Sequence, residues 1–304
     1  MNRRHMMHAA FAGGLIADLA LHAEPVAAGP VSRPSRPVAI RAADGANLAY
    51  TDRGEGRPVV LVHAWALKSQ MWDRQVEALT EAGFRCITFD RRGHGRSPDP
   101  GHGYDIDTLA DDLAAVLDQL DLRGVTLVAH SMGGAEAIRY LGRHGSARVR
   151  RLVLLAPATP CLTRSTTNAQ GLPAAAFEQI RAAWVHDFPK WVGDNARPFY
   201  TPDTSPETVA CGVRMMLECP LPVALASNRA LASADLRADC HRIDVPTLVM
   251  HGDADQSAPL DICGRVTAGL IPKARLLVVP GAPHGLFTTH AEAVNQAILG
   301  VARS

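Results

Sequence analysis

From Val38 onward the chain alternates short β-rich apolar runs with longer amphipathic stretches, and this alternation constrains its fold more than any other feature. Parallel strands need crossover connections, so two periodicities taking turns along one chain point to a mainly parallel sheet with helices on both faces. Eight strands are expected, at 38–41, 48–52, 58–63, 85–90, 125–130, 149–155, 247–251 and 275–279. Helices are expected near 71–81, 106–120, 134–144, 260–268 and 291–301. The first two strands, joined through Asp44-Gly45, read as an antiparallel hairpin leading into the parallel part.

Between Pro157 and about Cys240 the strand signal stops, and the chain becomes helical and rich in Pro, Met and aromatics. Such an insertion after the sixth strand suits a lid. The expected organisation is a core over 38–156 and 241–304, a helical lid over 157–240 and an N-terminal extension over 1–37. Phe177, Trp184, Phe188, Trp191, Phe199, Tyr200, Met215 and Met216 would form the lid's apolar underside. Most of these read as lid core, with Phe177 and Trp184 taken as pocket candidates.

With 47% hydrophobic residues, the 304-residue chain can bury a sizeable core. Its 31 basic and 30 acidic residues leave a net charge of +1, which provides no field to favour nucleic acid or an anionic membrane. Cys86, Cys161, Cys211, Cys219, Cys240 and Cys263 are scattered without a C-x-x-C pair and read as small buried hydrophobes. No nicotinamide, flavin or metal motif is visible, so neither a cofactor nor a metal is expected.

The first 37 residues differ from the rest. Asn2-Arg3-Arg4 precedes a modestly apolar stretch from Ala9 to Leu21, then Val26-Ala27-Ala28 and a Pro/Ser/Arg run. This pattern resembles a twin-arginine export signal cleaved after Ala28, which would send the protein to the periplasm. A plain extension on a cytoplasmic protein fits equally. Asp18 interrupts the apolar stretch, which is too short to span a membrane.

One strand-to-helix junction stands out. The apolar run Val125-Thr126-Leu127-Val128-Ala129-His130 ends in Ser131-Met132-Gly133-Gly134 and passes directly into a helical pattern. Small-x-Ser-x-Gly at that junction reads as a nucleophile elbow, in which a serine hydroxyl stands exposed on a tight turn and the next helix offers its first N–H groups to an oxyanion. Ala129, in the first small position, crowds the turn without closing it.

Acyl transfer by serine needs a base, an acid to orient that base, and donors aimed at the developing oxyanion. After the strand at 247–251 comes a turn carrying Asp253 and Asp255. After the strand at 275–279, Pro280-Gly281-Ala282-Pro283-His284-Gly285 isolates one imidazole. Ser131, an aspartate and His284 are therefore expected to converge at one edge of the sheet. Asp255, later in its turn, has more freedom to reach across, while Asp253 suits a bond to the turn backbone. The expected oxyanion donors are the N–H groups of Met132 and of Trp65, in the loop His63-Ala64-Trp65-Ala66-Leu67. Candidate pocket residues are Trp65, Ala66, His130, Phe177, Trp184, Leu286 and Phe287, with His251 as a structural neighbour.

Asp90-Arg91-Arg92-Gly93-His94-Gly95-Arg96-Ser97 invites comparison with a phosphate-binding loop. It lacks the Lys-Ser/Thr of one and does not open into a helix, so it reads as a tight turn with arginines bonded to aspartate and backbone groups.

Taken with Gly142-Arg143-His144-Gly145-Ser146-Ala147-Arg148-Val149, Ile243-Asp244-Val245-Pro246-Thr247-Leu248-Val249, His251-Gly252-Asp253-Ala254-Asp255-Gln256 and Gly281-Ala282-Pro283-His284-Gly285, that segment gives a resemblance running from about Val38 to the C-terminus. The chain resembles the bacterial cofactor-free haloperoxidase and perhydrolase group of α/β-hydrolases, whose members are aryl esterases and in some cases lactamases. The resemblance implies the α/β-hydrolase fold and puts the triad acid at Asp255. Two positions depart from the group's pattern. The usual His-Gly-Trp reads His63-Ala64-Trp65, and the next residue, Pro in many members credited with peroxidation, is Ala66.

The resulting reading is a serine carboxylic-ester hydrolase acting on small, largely apolar acyl or aryl esters, lactones included. Perhydrolysis, nominal haloperoxidation and γ-lactam opening by the same triad are the alternatives, and a ligand receptor without turnover is a remote one. The expected partner is a small ester, with no nucleic acid and no membrane span, and homo-oligomerisation is left open. Position 131 is not an aspartate, which disfavours epoxide and haloalkane hydrolysis.

Overall fold

The computed structural model describes residues 38–304. The expected export signal lies outside the described residues. β1 (Ile40–Arg41) and β2 (Asn47–Leu48) form the antiparallel hairpin around Asp44-Gly45. The chain then leaves the ladder at Ala49, whose N–H donates to Ser97 Oγ at 2.9 Å and whose carbonyl accepts from the Asp90 N–H at 2.8 Å. This break separates the hairpin from β3 (Tyr50–Arg53), β4 (Pro58–Val62), β5 (Arg85–Phe89), β6 (Val125–His130), β7 (Val149–Leu155), β8 (Thr247–Gly252) and β9 (Ala274–Val279). The main sheet accordingly has seven strands, one fewer than expected, because the hairpin is held by the turn at 90–97 instead of by the sheet. Its order is β3-β5-β4-β6-β7-β8-β9, with β3 antiparallel to β5 and every other neighbour parallel.

β6 is buried along its whole length, as a central parallel strand covered on both faces should be. Alternate residues go to opposite faces. Val60, Val62, Leu127 and Ala129 join one core cluster with residues of α2 (Ile106–Gln119, after the short α1 at Asp73–Glu81) and α3 (Met132–His144). Val59, Leu61 and Val128 join the other, with Leu79 of α1. Asp105 caps α2, its side chain accepting from the Thr108 N–H at 2.9 Å.

Between β7 and β8 lie α4 (Ala174–Ala196), α5 (Pro206–Leu217), α6 (Leu221–Ser233) and α7 (Arg237–Arg242), and no strand of the main sheet. This insertion follows the fifth strand of the sheet in chain order, where the sixth of eight was expected. α4 kinks at Asp187 (φ −159°, ψ 86°), two residues ahead of Pro189, which has no N–H to continue the helical ladder and whose ring clashes with the preceding turn. The Asp187 carboxylate then accepts from the Lys190 N–H at 2.9 Å and restarts the helix. The chain ends with α8 (Gly264–Leu270), α9 (Leu286–Thr289) and α10 (Ala291–Arg303), of which α10 packs on the face covered by α1. Among the described residues no single helix is long and apolar enough to cross a membrane. Cys211 is exposed, unlike the buried position expected, because its stretch of α5 faces outward.

Candidate active site

Ser131 closes β6 and opens α3 with φ +55° and ψ −119°. A non-glycine residue holds a positive φ only where its surroundings impose it. Here β7 and the residues just after it impose the turn: the Ser131 N–H donates to the Leu155 carbonyl at 3.1 Å, and its carbonyl accepts from the Ala158 N–H at 3.2 Å. The turns after β8 and β9 bring Asp255 and His284 to the same carboxyl edge of the sheet, where crevices in open α/β sheets form.

The three side chains make one chain of hydrogen bonds. Ser131 Oγ donates to His284 Nε2 at 2.9 Å, and His284 Nδ1 donates to Asp255 Oδ2 at 2.7 Å. Asp255 is buried and fully engaged: its Oδ1 accepts from the N–H groups of Ser257 (2.9 Å) and Ala258 (2.8 Å), and its Oδ2 also accepts from His251 Nε2 at 3.1 Å. Burial alone would raise its pKa. The charge interaction with His284 and the bonds from His251, His284 and Ala258 outweigh burial and hold the carboxyl below the ordinary carboxylate range. Asp253 takes the other role, its Oδ1 accepting from the Gly281 N–H at 2.6 Å and so tying the β8 turn to the β9 turn.

A sequence model of the family described as alpha/beta hydrolase fold matches residues 57–291. The chain is an α/β hydrolase. It is 41% identical over 248 residues to a non-heme chloroperoxidase of Kitasatospora aureofaciens, covering 80% of this chain and 90% of that protein. It is 34% identical over 275 residues to a bifunctional esterase/perhydrolase of Acinetobacter calcoaceticus, covering 86% and 98%. Among solved structures, an esterase from Exiguobacterium antarcticum superposes with a TM-score of 0.85 at 31% identity, covering 88% of this chain and 99% of that one.

The expected oxyanion donors of this α/β hydrolase are the N–H groups of Met132 and Trp65. Met132 is the first residue of α3, and Trp65 lies in the loop after β4; neither N–H donates to another group among the described residues. The Trp65 ring stacks on Trp184 (centroids 4.5 Å apart), and its Nε1 donates to the Ala224 carbonyl at 2.9 Å. Ala66 (φ +54°), Trp184, Phe188, Val223 and Ala224 form one buried cluster against it.

The other pocket candidates lie against the His284 loop, apart from Phe177. His130 is buried behind His284, its Nε2 donating to the His284 carbonyl at 2.9 Å. Phe287 packs edge-on to His130 at 5.1 Å, and Leu286 is buried in the same core cluster on the α1 and α10 face. Phe177 lines a separate cavity of about 390 Å³ with Cys161, Arg181, Arg229 and Ala232; Ser131 is not on its wall.

Sequence reasoning gave no specific place at the site to two residues. His251 bonds the Asp255 carboxylate, and it fits there because Gly264 lacks a Cβ, which would lie 2.2 Å from His251 Nδ1. Phe199 stands edge-on to the His284 ring at 5.3 Å, and its carbonyl accepts from the Gly285 N–H at 2.9 Å. The His-Gly-Asp string after a strand was the available signal for His251; Phe199, 85 residues from His284 along the chain, carried none.

Proposed function

We propose that this α/β hydrolase is a serine carboxylic-ester hydrolase acting on small, largely apolar acyl or aryl esters, lactones included. The observation that carries the reading is the continuous hydrogen-bonded chain from Ser131 Oγ through His284 to a buried, ionised Asp255. His284 Nε2 takes the Ser131 proton as Oγ attacks the ester carbonyl, and the N–H groups of Trp65 and Met132 hold the developing oxyanion. The C–O bond to the alcohol breaks as His284 returns the proton to the leaving oxygen, leaving Ser131 acylated. Water, deprotonated by His284, attacks the acyl-enzyme and releases the acid with Ser131 restored. Asp255 fixes the Nδ1–H tautomer and stabilises the imidazolium.

Helices in 157–240 act in this reading as a lid over the serine. Three contacts with the core support it: the Trp65 indole bonds α6, Lys68 pairs with Glu218 at the end of α5, and the Phe199 carbonyl bonds Gly285. The aromatic and aliphatic cluster around Trp65 and Trp184 favours an apolar acyl group.

The Kitasatospora chloroperoxidase and the Acinetobacter esterase/perhydrolase favour one second reading, perhydrolysis. Hydrogen peroxide then replaces water at the acyl-enzyme and leaves as the peracid, again with His284 taking and returning the proton.

The test is hydrolysis of p-nitrophenyl esters from acetate to octanoate by wild type and Ser131→Ala, with and without peroxide and a peracid trap. Wild-type turnover that falls by at least about 10³-fold in Ser131→Ala supports the nucleophile, and the peroxide arm separates the two acceptors. Full activity in Ser131→Ala sinks the mechanism. A wild type inactive on every ester moves the search to lactams and then to binding without turnover.

A further inference from the structure

The turn Asp90–Ser97 has no part in the acyl-transfer steps, yet it delivers a fully buried guanidinium to the back of the oxyanion loop. Arg91 Nη2 donates to the His63 carbonyl at 2.8 Å, and Nη1 donates to the Ala64 carbonyl at 3.2 Å. On its other edge Nε donates to Glu136 Oε1 at 2.7 Å, and Nη2 pairs with the same carboxylate. The Arg91 backbone N–H donates to His63 Nε2 at 2.9 Å, which leaves His63 Nδ1 as the donor to the Ala64 carbonyl at 2.8 Å.

The Ala64 carbonyl and the Trp65 N–H belong to one planar peptide unit and point to opposite sides of it. Two donors gripping that carbonyl therefore fix the direction of the Trp65 N–H. Glu136 lies one turn along α3 from Met132, the other donor. The same junction is close-packed: a Cβ on Gly133 would sit 2.7 Å from the Val62 carbonyl oxygen and 2.8 Å from that of His63. The loop carrying one donor and the helix carrying the other thus meet backbone to backbone, with Arg91 bridging them.

We infer that the buried Arg91–Glu136 pair is a positioning device for ester hydrolysis, locking the Trp65 peptide plane to the start of α3 so that both oxyanion donors face one point. Arg91 and Glu136 are buried and touch no substrate, so they act through the loop. The inference rests on the serine-hydrolase reading. Lysine does not substitute for this arginine, because a single ammonium cannot span two carbonyls and a carboxylate.

The test compares wild type with Arg91→Lys and with the double variant Arg91→Met/Glu136→Leu. Replacing both charges together by apolar residues leaves no orphaned ion, so it costs folding less than removing either partner alone. The readouts are kcat and KM on p-nitrophenyl acetate, the inhibition constant of an alkyl boronic acid whose adduct oxygen occupies the oxyanion site, and the rate at which a fluorophosphonate labels Ser131.

Losing one oxyanion donor outright costs roughly 10²–10³ in rate. A misdirected donor should therefore lower kcat and the labelling rate by about 10- to 100-fold and weaken the boronate in parallel, with KM within about threefold. A folded double variant that labels at the wild-type rate and binds the boronate equally well overturns the positioning role. Wild-type protein that the fluorophosphonate does not label at Ser131 overturns the serine reading, and this inference with it.

Discussion

His130 Nε2 donates to the carbonyl oxygen of His284 at 2.9 Å, so the residue just before Ser131 carries the backbone of the residue whose ring bonds Ser131. The imidazole is boxed in by Trp72, Phe287 and the His284 ring, and burial, with the repulsion that a second positive charge would meet beside His284, keeps its pKa well below the ordinary histidine value. It is a neutral Nε2–H donor. His130→Ala would leave a buried carbonyl without its donor and a cavity beneath the loop. The expected outcome is a loss of about 2–4 kcal/mol in unfolding free energy with a fall in kcat of about tenfold or more. Urea denaturation and ester kinetics on the same preparation check both, and unchanged kcat would remove His130 from the support of His284.

The two aspartates after β8 make opposite predictions. Asp255→Asn keeps the shape but removes the charge that orients His284, and turnover should fall by about 10³–10⁴-fold. Asp253→Asn can still accept from the Gly281 N–H, so turnover should stay within a few-fold of wild type. Comparable losses in the two variants would contradict the assignment of Asp255 as the orienting acid.

Legibility in the sequence tracks interaction range. β6 and β7 fall where their apolar runs predicted them, since β6 throughout and β7 from Leu152 onward are buried, and strand residues covered on both faces read as a continuous apolar run. The break at Ala49 was not legible, because it depends on Ser97 Oγ, 48 residues away. The string around Ser131 and the turn around His284 are local motifs. The support given by His130 and Arg91 is not local: their partners lie 154 and 45 residues away, and a buried arginine reads like any turn arginine until the fold closes on it. Phe177 shows the same limit, since an apolar helical residue announces burial but not which cavity it will line.

Ala66 tests the loop beside Trp65. Its φ of +54° lies in the left-handed region, where alanine is strained and proline, fixed near −65°, cannot go. Ala66→Gly should be neutral or stabilising by up to about 1 kcal/mol, with near wild-type turnover. Ala66→Pro must rebuild the loop and move the Trp65 N–H, lowering ester turnover by at least about tenfold. Retained turnover in Ala66→Pro would mean that the loop tolerates a second backbone conformation without loss of the donor.

Acid stability should be set largely by histidines remote from the serine as well as by His130. Burial, and then the charge of Arg91, push His63 well below its ordinary value and His94 down to about 3. With His130 these rings stay neutral in the native chain but titrate near 6.5 when unfolded. Below about pH 6.5 the unfolded state binds more protons, so stability falls as pH falls. Glu136 acts in the opposite sense. Burial raises its carboxyl against the pull of Arg91, so on the acid side the native state takes up a proton more readily than the unfolded state and offsets part of that loss. Asp112 and Asp239, raised by burial, add to that opposition at the acid end. Between pH 5 and 6 three histidines outweigh one glutamate, and each net proton contributes a slope of about 1.4 kcal/mol per pH unit. Urea denaturation from pH 7 to pH 5 should therefore show a progressive loss of stability, made shallower by His94→Phe. A flat profile, or one that rises toward pH 5, would mean that these imidazoles become charged inside the folded core.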